Sequence, residues 1–134
     1  MLVVDANVVA YLLVEGEKTA QARGLWARDP DWCAPRLLFY ELANVFTSLA
    51  RQGALPLESG RAGMESSLAL VRLLEQDPAP GRILEIAARL RLSAYDACYL
   101  AAAEMTRALL ATEDVRLLRV APEVARSPAQ IVAA

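Results

Sequence analysis

Three short apolar runs, Leu2–Val4, Trp32–Ala34 and residues 108–111, are separated by longer stretches of helical periodicity, and this alternation restricts the fold most. Apolar runs of three or four residues, with no polar alternation, suit strands covered on both faces. Strands joined through helices build an α/β sandwich: a small, mainly parallel sheet flanked by helices. After Asp5 the pattern predicts a helix from residue 6 to about 13, then a second over 17–28 stopped by Asp29-Pro30. Pro35 opens a strong helix through Arg51, with Gly53 just past its end. Pro56 starts a helical region to about residue 76, with a break expected near Gly60 to Gly63. Residues 77–81 form a turn, and helices follow at about 82–90 and 94–107. Residues 115–118 predict a helical turn, and Val120-Ala121 a final strand.

The 134 residues suit one domain, 1–134, large enough to bury roughly two-thirds of the surface of its unfolded chain. Hydrophobic residues make up 56%, yet no stretch of eighteen apolar residues lacks a charge, so a membrane span is not expected. The opening Met1-Leu2-Val3-Val4-Asp5 has no basic segment of the kind that starts a secretory signal. Cys33 and Cys98 lie in apolar surroundings without CxxC spacing, as expected for buried thiols of a cytoplasmic protein. Histidine is absent, which excludes Ser-His-Asp and Cys-His catalysis and any zinc site that needs imidazole. Proton transfer must then come from carboxylates, Tyr, Lys or activated water.

Four acids stand out. Asp5 directly follows the first apolar run and Asp114 closes Thr112-Glu113-Asp114 after the run at 108–111. In parallel α/β sheets the ligand site lies beyond the carboxyl ends of the strands, where both acids fall. Each also suits a plain helix N-cap. Glu41 falls on the apolar stripe Leu38, Leu42, Val45, Phe46 and Leu49 of its helix. A carboxylate there is costly unless it meets an Arg, reaches water or binds a cation. Asp96, three residues after Ser93, fits a capping box, yet it opens an otherwise apolar, alanine-rich helix. Carboxylates about 5 Å apart repel by roughly 3 kcal/mol per pair at an effective dielectric of about 20. A cluster of the four would need protons or cations to persist, and oxygen-only ligands select Mg²⁺ or Mn²⁺ over zinc.

A net charge of −2 does not by itself suggest a nucleic-acid partner. With the four acids gathered around cations, the remainder carries +2, and thirteen of the fourteen basic residues are Arg, the better phosphate fork. Arg36, Arg89 and Arg116 are candidate phosphate contacts and equally ordinary solvated charges.

The chain resembles the PIN-domain proteins, specifically the VapC-like ribonuclease toxins. Val3-Val4-Asp5-Ala6-Asn7-Val8 is similar to that family's opening strand motif with its first acid, and Glu41-Leu42-Ala43-Asn44-Val45 to its Glu helix. Leu92-Ser93-Ala94-Tyr95-Asp96-Ala97-Cys98-Tyr99-Leu100-Ala101 is the most specific segment, and Leu110-Ala111-Thr112-Glu113-Asp114 resembles the fourth motif. Asn7 departs from the more usual Ser or Thr, and Val-Arg after Asp114 leaves no further acid there. The resemblance implies a PIN-like three-layer sandwich and a metal-dependent endoribonuclease acting on structured or single-stranded RNA. It implies Asp5, Glu41, Asp96 and Asp114 as catalytic and metal-binding residues for Mg²⁺ or Mn²⁺, with Asn7 and Thr112 orienting them. It further implies a homodimer and a VapB-like antitoxin whose basic tail covers the acidic cleft.

Two other readings compete. A haloacid-dehalogenase-like phosphatase would want an acid at position 7 and a well-placed lysine, but position 7 is Asn and the single lysine is Lys18. A catalytically silent PIN-like binding or assembly module would have no need of all four acids.

Overall fold

Leu2, Val3 and Val4 form the central strand, β1 (Leu2–Val4), paired in parallel with β2 (Trp32–Ala34) on one side and β4 (Leu109–Ala111) on the other. In the computed structural model, which covers residues 1–134, β3 (Val71–Leu73) joins β2 and β5 (Ala125–Arg126) joins β4. The result is an all-parallel sheet in the order β3-β2-β1-β4-β5. Connections from β1 move outward through β2 to β3, whereas β4 and β5 lie on the opposite side. The topological switch point therefore falls between β1 and β4, where such sheets form their crevice.

Helices cover both faces. Along β1 the side chains alternate: Leu2 and Val4 pack with Val8 and Val9 of α1 (Ala6–Leu13) and with Leu38, Leu42 and Phe46 of α3 (Leu37–Arg51). Leu25 of α2 (Thr19–Arg28) and Ile131 of α8 (Pro128–Ala133) complete that core. Val3 points to the other face, where Cys33 and Leu110 meet Ile86 of α5 (Pro80–Leu90), Tyr99 of α6 (Ala94–Thr106) and Leu117 of α7 (Val115–Val120). The three layers agree with the expected sandwich. Cys33 and Cys98 are buried free thiols, and no helix is long and apolar enough to cross a membrane.

The structure corrects several element boundaries. α4 (Leu57–Leu70) runs unbroken through Gly60 and Gly63, where the sequence predicted a break. The reason is Phe46: a Cβ on Gly63 would lie 2.5 Å from Phe46 Cζ, and one on Gly60 would lie 3.2 Å from Phe46 Cβ. These glycines are a seat for an aromatic ring, so α3 and α4 approach closely. The helix stops at Leu70 instead of continuing to residue 76, because Val71 passes straight into β3. Val120 belongs to α7, which displaces the last strand from Val120-Ala121 to Ala125–Arg126. α2 begins at Thr19, whose hydroxyl accepts the Gly16 N–H at 2.9 Å and donates to the Tyr11 carbonyl at 2.8 Å, holding residues 16–18 in a turn.

Candidate active site: an acidic cleft at the switch point

Asp5 sits where β1 ends and α1 begins, and caps that helix with its Oδ1 accepting the Ala6 N–H at 2.7 Å. Its other oxygen, Oδ2, accepts the Thr112 hydroxyl at 2.7 Å and the Asn7 amide at 3.4 Å. Thr112 follows β4, the neighbour of β1, so adjacent strand ends deliver the acid and its donor together. Asp5 is only 8% exposed. Burial raises its carboxyl to about 6; the Thr112 hydrogen bond opposes the rise, and the charges of Glu41 and Asp96 add to it.

Thr112 has a second role. Its Oγ1 accepts the Asp114 N–H at 3.0 Å, while Asp114 Oδ1 caps α7 by accepting from Arg116 and Leu117 at 2.8 and 3.2 Å. Asn7 likewise works in both directions, since its Oδ1 accepts the Glu113 N–H at 3.2 Å. Asn7 and Thr112 thus tie the β1–α1 and β4–α7 turns to each other.

Glu41 comes from α3, half-buried beside Leu38 and Leu42 of the apolar stripe. No Arg pairs with it. Its Oε1 is buried without a hydrogen-bond partner, and burial raises its pKa, as does the charge of Asp96. The Tyr99 hydroxyl, also buried and unpartnered, is near enough to pull that pKa down yet closes no hydrogen bond. Asp96 opens α6, where its backbone N–H donates to Ser93 Oγ at 3.1 Å. The reciprocal bond of a capping box is not made, so the carboxylate does not cap its own helix. Burial and the neighbouring Asp114 raise its pKa, while the Ser93 hydroxyl and, more weakly, Arg116 pull the other way.

All four acids line one open cleft of about 480 Å³, together with Leu37, Tyr40, Asn44 and Tyr95. No Arg or Lys lines it. As the side chains stand, no three acids are grouped tightly enough to hold one ion. The donor chemistry still fits a hard divalent cation: four carboxylates, no competing base and a buried oxygen on Glu41 with nothing to accept from.

Tyr99 and Glu113 escaped the reading of the sequence. Tyr99 is 1% exposed and is followed on its helix face by Ala102 and Ala103, so it reads as plain core until Glu41 is placed beside it. Glu113 hides behind Asp114; its Oε1 is buried and unpartnered, and its Oε2 lies 3.4 Å from Lys18 Nζ. Of the candidate arginines, Arg36 is held by the Glu75 carbonyl at 3.3 Å and Arg89 lines a separate depression with Arg82 and Glu104. Only Arg116 is felt at the acids.

Comparison with known proteins agrees with this fold. The PIN domain family model matches residues 2–122. VapC ribonuclease Mb0985 of Mycobacterium bovis and ribonuclease VapC9 of Mycobacterium tuberculosis are each 39% identical over 123 residues, covering 87% of this chain and 88% of theirs. Among solved structures, PAE2754 from Pyrobaculum aerophilum superposes with a TM-score of 0.81 at 22% identity, covering 98% of this chain and 92% of that one. A toxin–antitoxin complex from Klebsiella pneumoniae gives 0.71 at 20% identity, over 96% of this chain and 98% of that one. Family model, curated relatives and sheet topology agree: the chain belongs to the PIN-domain family, among its VapC-like members.

Proposed function

We propose that this protein is a Mg²⁺- or Mn²⁺-dependent endoribonuclease that hydrolyses RNA phosphodiester bonds in the acidic cleft. The observation that carries the reading is convergence. Asp5, Glu41, Asp96 and Asp114 come from four separate segments and line one cavity at the switch point of a parallel sheet. The relatives named ribonucleases support RNA as the substrate.

In this reading Asp5, Asp96 and Asp114 hold one or two cations, and Glu41 holds a second ion or orients the attacking water. The chemistry a bound Mg²⁺ or Mn²⁺ supplies is charge neutralisation at the phosphate and a lowered pKa for that water. The protein's own residues do the rest. Thr112 and Asn7 both donate to Asp5 Oδ2 and so hold the carboxylate in place at the wall of the cleft. Glu41, raised in pKa by burial, is suited to accept the proton that the attacking water releases. Asp114 keeps one oxygen on the α7 N-terminus and leaves the other available.

The proposal extends to biology: a single domain over residues 1–134, cytoplasmic, acting as the toxin of a type II toxin–antitoxin pair, as a homodimer held in check by a VapB-like antitoxin. Membership among VapC-like proteins supports that assignment.

The test is cleavage of a mixed RNA pool with Mn²⁺, with EDTA, and by Asp96→Asn checked for fold by circular dichroism. Cleavage that needs the ion and Asp96 is the expected result. Cleavage that survives chelation overturns the metal-dependent reading. No cleavage of any RNA favours the silent binding module.

A further inference from the structure

Two tyrosines stand in the acidic cleft with their rings in solvent. Tyr40 is 75% exposed and Tyr95 is 64% exposed, and both line the cavity of the four acids. Tyr40 precedes Glu41 on α3, and Tyr95 precedes Asp96 on α6. Each helix therefore presents an acid to the cleft and, about 100° around its axis, an aromatic ring at the rim. The cores of α3 and α6 are built from other residues, such as Leu38, Leu42 and Leu100, so packing does not require these rings.

The second observation is electrostatic. A protein that grips nucleic acid by its phosphates places Lys and Arg along the track, yet none lines this cleft. Neutralising the acids removes repulsion at one phosphate but offers nothing to the nucleotides on either side. Aromatic faces supply the missing affinity without charge.

We propose that Tyr40 and Tyr95 form a base-stacking subsite that takes unpaired nucleotides of single-stranded RNA beside the scissile phosphate. This rests on the ribonuclease reading and narrows its substrate class. Bases in a duplex are already stacked on one another and cannot reach the rings, whereas splayed bases can. Stacking is indifferent to base identity, so any sequence preference comes from neighbours such as Asn44, whose amide both donates and accepts.

The experiment measures KM and kcat on a fluorophore-labelled single-stranded oligoribonucleotide for the wild type, Tyr40→Ala, Tyr95→Ala and the two Phe variants. Each Ala variant should raise KM roughly 5- to 100-fold with little change in kcat, and each Phe variant should stay near wild type. Binding of the same oligonucleotide to the Asp96→Asn protein, followed by anisotropy with Mg²⁺ present, should show a log–log salt slope shallower than about −2. The same sequence locked in a hairpin stem should resist cleavage. An active wild type whose KM ignores both Ala substitutions overturns the proposal and assigns the rings to a protein partner. A steep salt slope also overturns it. A wild type that cuts no RNA sinks the ribonuclease reading instead; the subsite then stands or falls on whether oligonucleotide binding drops in the Ala variants.

Discussion

The Thr112 hydroxyl donates to Asp5 Oδ2 at 2.7 Å while accepting the Asp114 N–H at 3.0 Å, so one side chain ties the acid ending β1 to the acid capping α7. Thr112 is fully buried. Thr112→Val keeps the shape and removes both bonds, leaving Asp5 with one good donor. Stability should fall by about 1–3 kcal/mol in urea titrations, and nuclease activity by roughly 10- to 100-fold. Thr112→Ser should restore most of each. Full activity in the Val variant would show that the hydroxyl plays no part in placing Asp5.

Tyr99 and Glu41 give a different kind of test. Both present a buried oxygen without a partner, and each is felt electrostatically by the other. Removing an unsatisfied hydroxyl is close to neutral for folding. Tyr99→Phe should therefore melt within about 1 kcal/mol of wild type. If the hydroxyl meets Glu41 during turnover, kcat should drop severalfold and the acid limb of the pH–rate profile should move up, since a donor that lowered the Glu41 pKa is gone. A variant with unchanged kcat and pH profile would make Tyr99 core and nothing more.

The acids also predict how stability depends on pH when no divalent ion is bound. Burial raises Asp5 from its ordinary 3.8 to about 6. Between those values the folded state holds more protons than the unfolded one, so unfolding free energy falls as pH rises from about 4 to about 6. Asp5 alone accounts for about 3 kcal/mol of that loss as an upper bound. Glu41 and Asp96 are raised as well and act in the same direction. Asp29 and Glu104 are lowered by their partners and act in the opposite one. Melting in EDTA should thus decline with pH more steeply for the wild type than for Asp5→Asn, and Mn²⁺ at pH 7 should stabilise only the wild type. Parallel pH curves for the two proteins would contradict the burial of a strained charge at Asp5.

Gly63 tests the packing that carries Glu41. An added Cβ would press on the buried ring of Phe46, five residues beyond Glu41 on α3. Gly63→Ala should cost about 1–3 kcal/mol despite improving helix propensity. Phe46→Leu in the same chain should relieve part of that cost, a non-additive pair readable by a double-mutant cycle. A stabilised Gly63→Ala protein would mean that α4 stands further from α3 than described.

Much of this layout can be read from the residues, and the failures have physical causes. β1, β2 and β4 are bounded by Asp5, Pro35 and Thr112, so their apolar runs stand out. β3 does not, because Leu68-Ala69-Leu70-Val71-Arg72-Leu73 crosses from helix to strand with no Gly or Pro to mark the change. β5 is two residues long, Ala125–Arg126, too short for any pattern. Gly60 and Gly63 suggest a helix break only while Phe46 is unseen, a tertiary contact that no local rule contains. Glu41 and Asp96 are legible because each interrupts an apolar helix, and Asp5 and Asp114 because each closely follows an apolar strand run. Tyr99 and Tyr40 are not, since an aromatic on a helix reads equally as core or surface until the opposing wall is in place.

β1 lies in the middle of the sheet, yet residues 2–4 leave the ribosome long before residues 109–111, their neighbours on one side. A nascent chain therefore displays Asp5 and Glu41 while the hydroxyl and the two remaining acids are still unmade. If these acids cut RNA as proposed, this order of synthesis would leave the growing polypeptide without a complete site while the message is being translated. On the proposed assignment of the four acids, hydrolysis waits until residue 114 has emerged and folded back, which would tie the onset of activity to a late moment in translation.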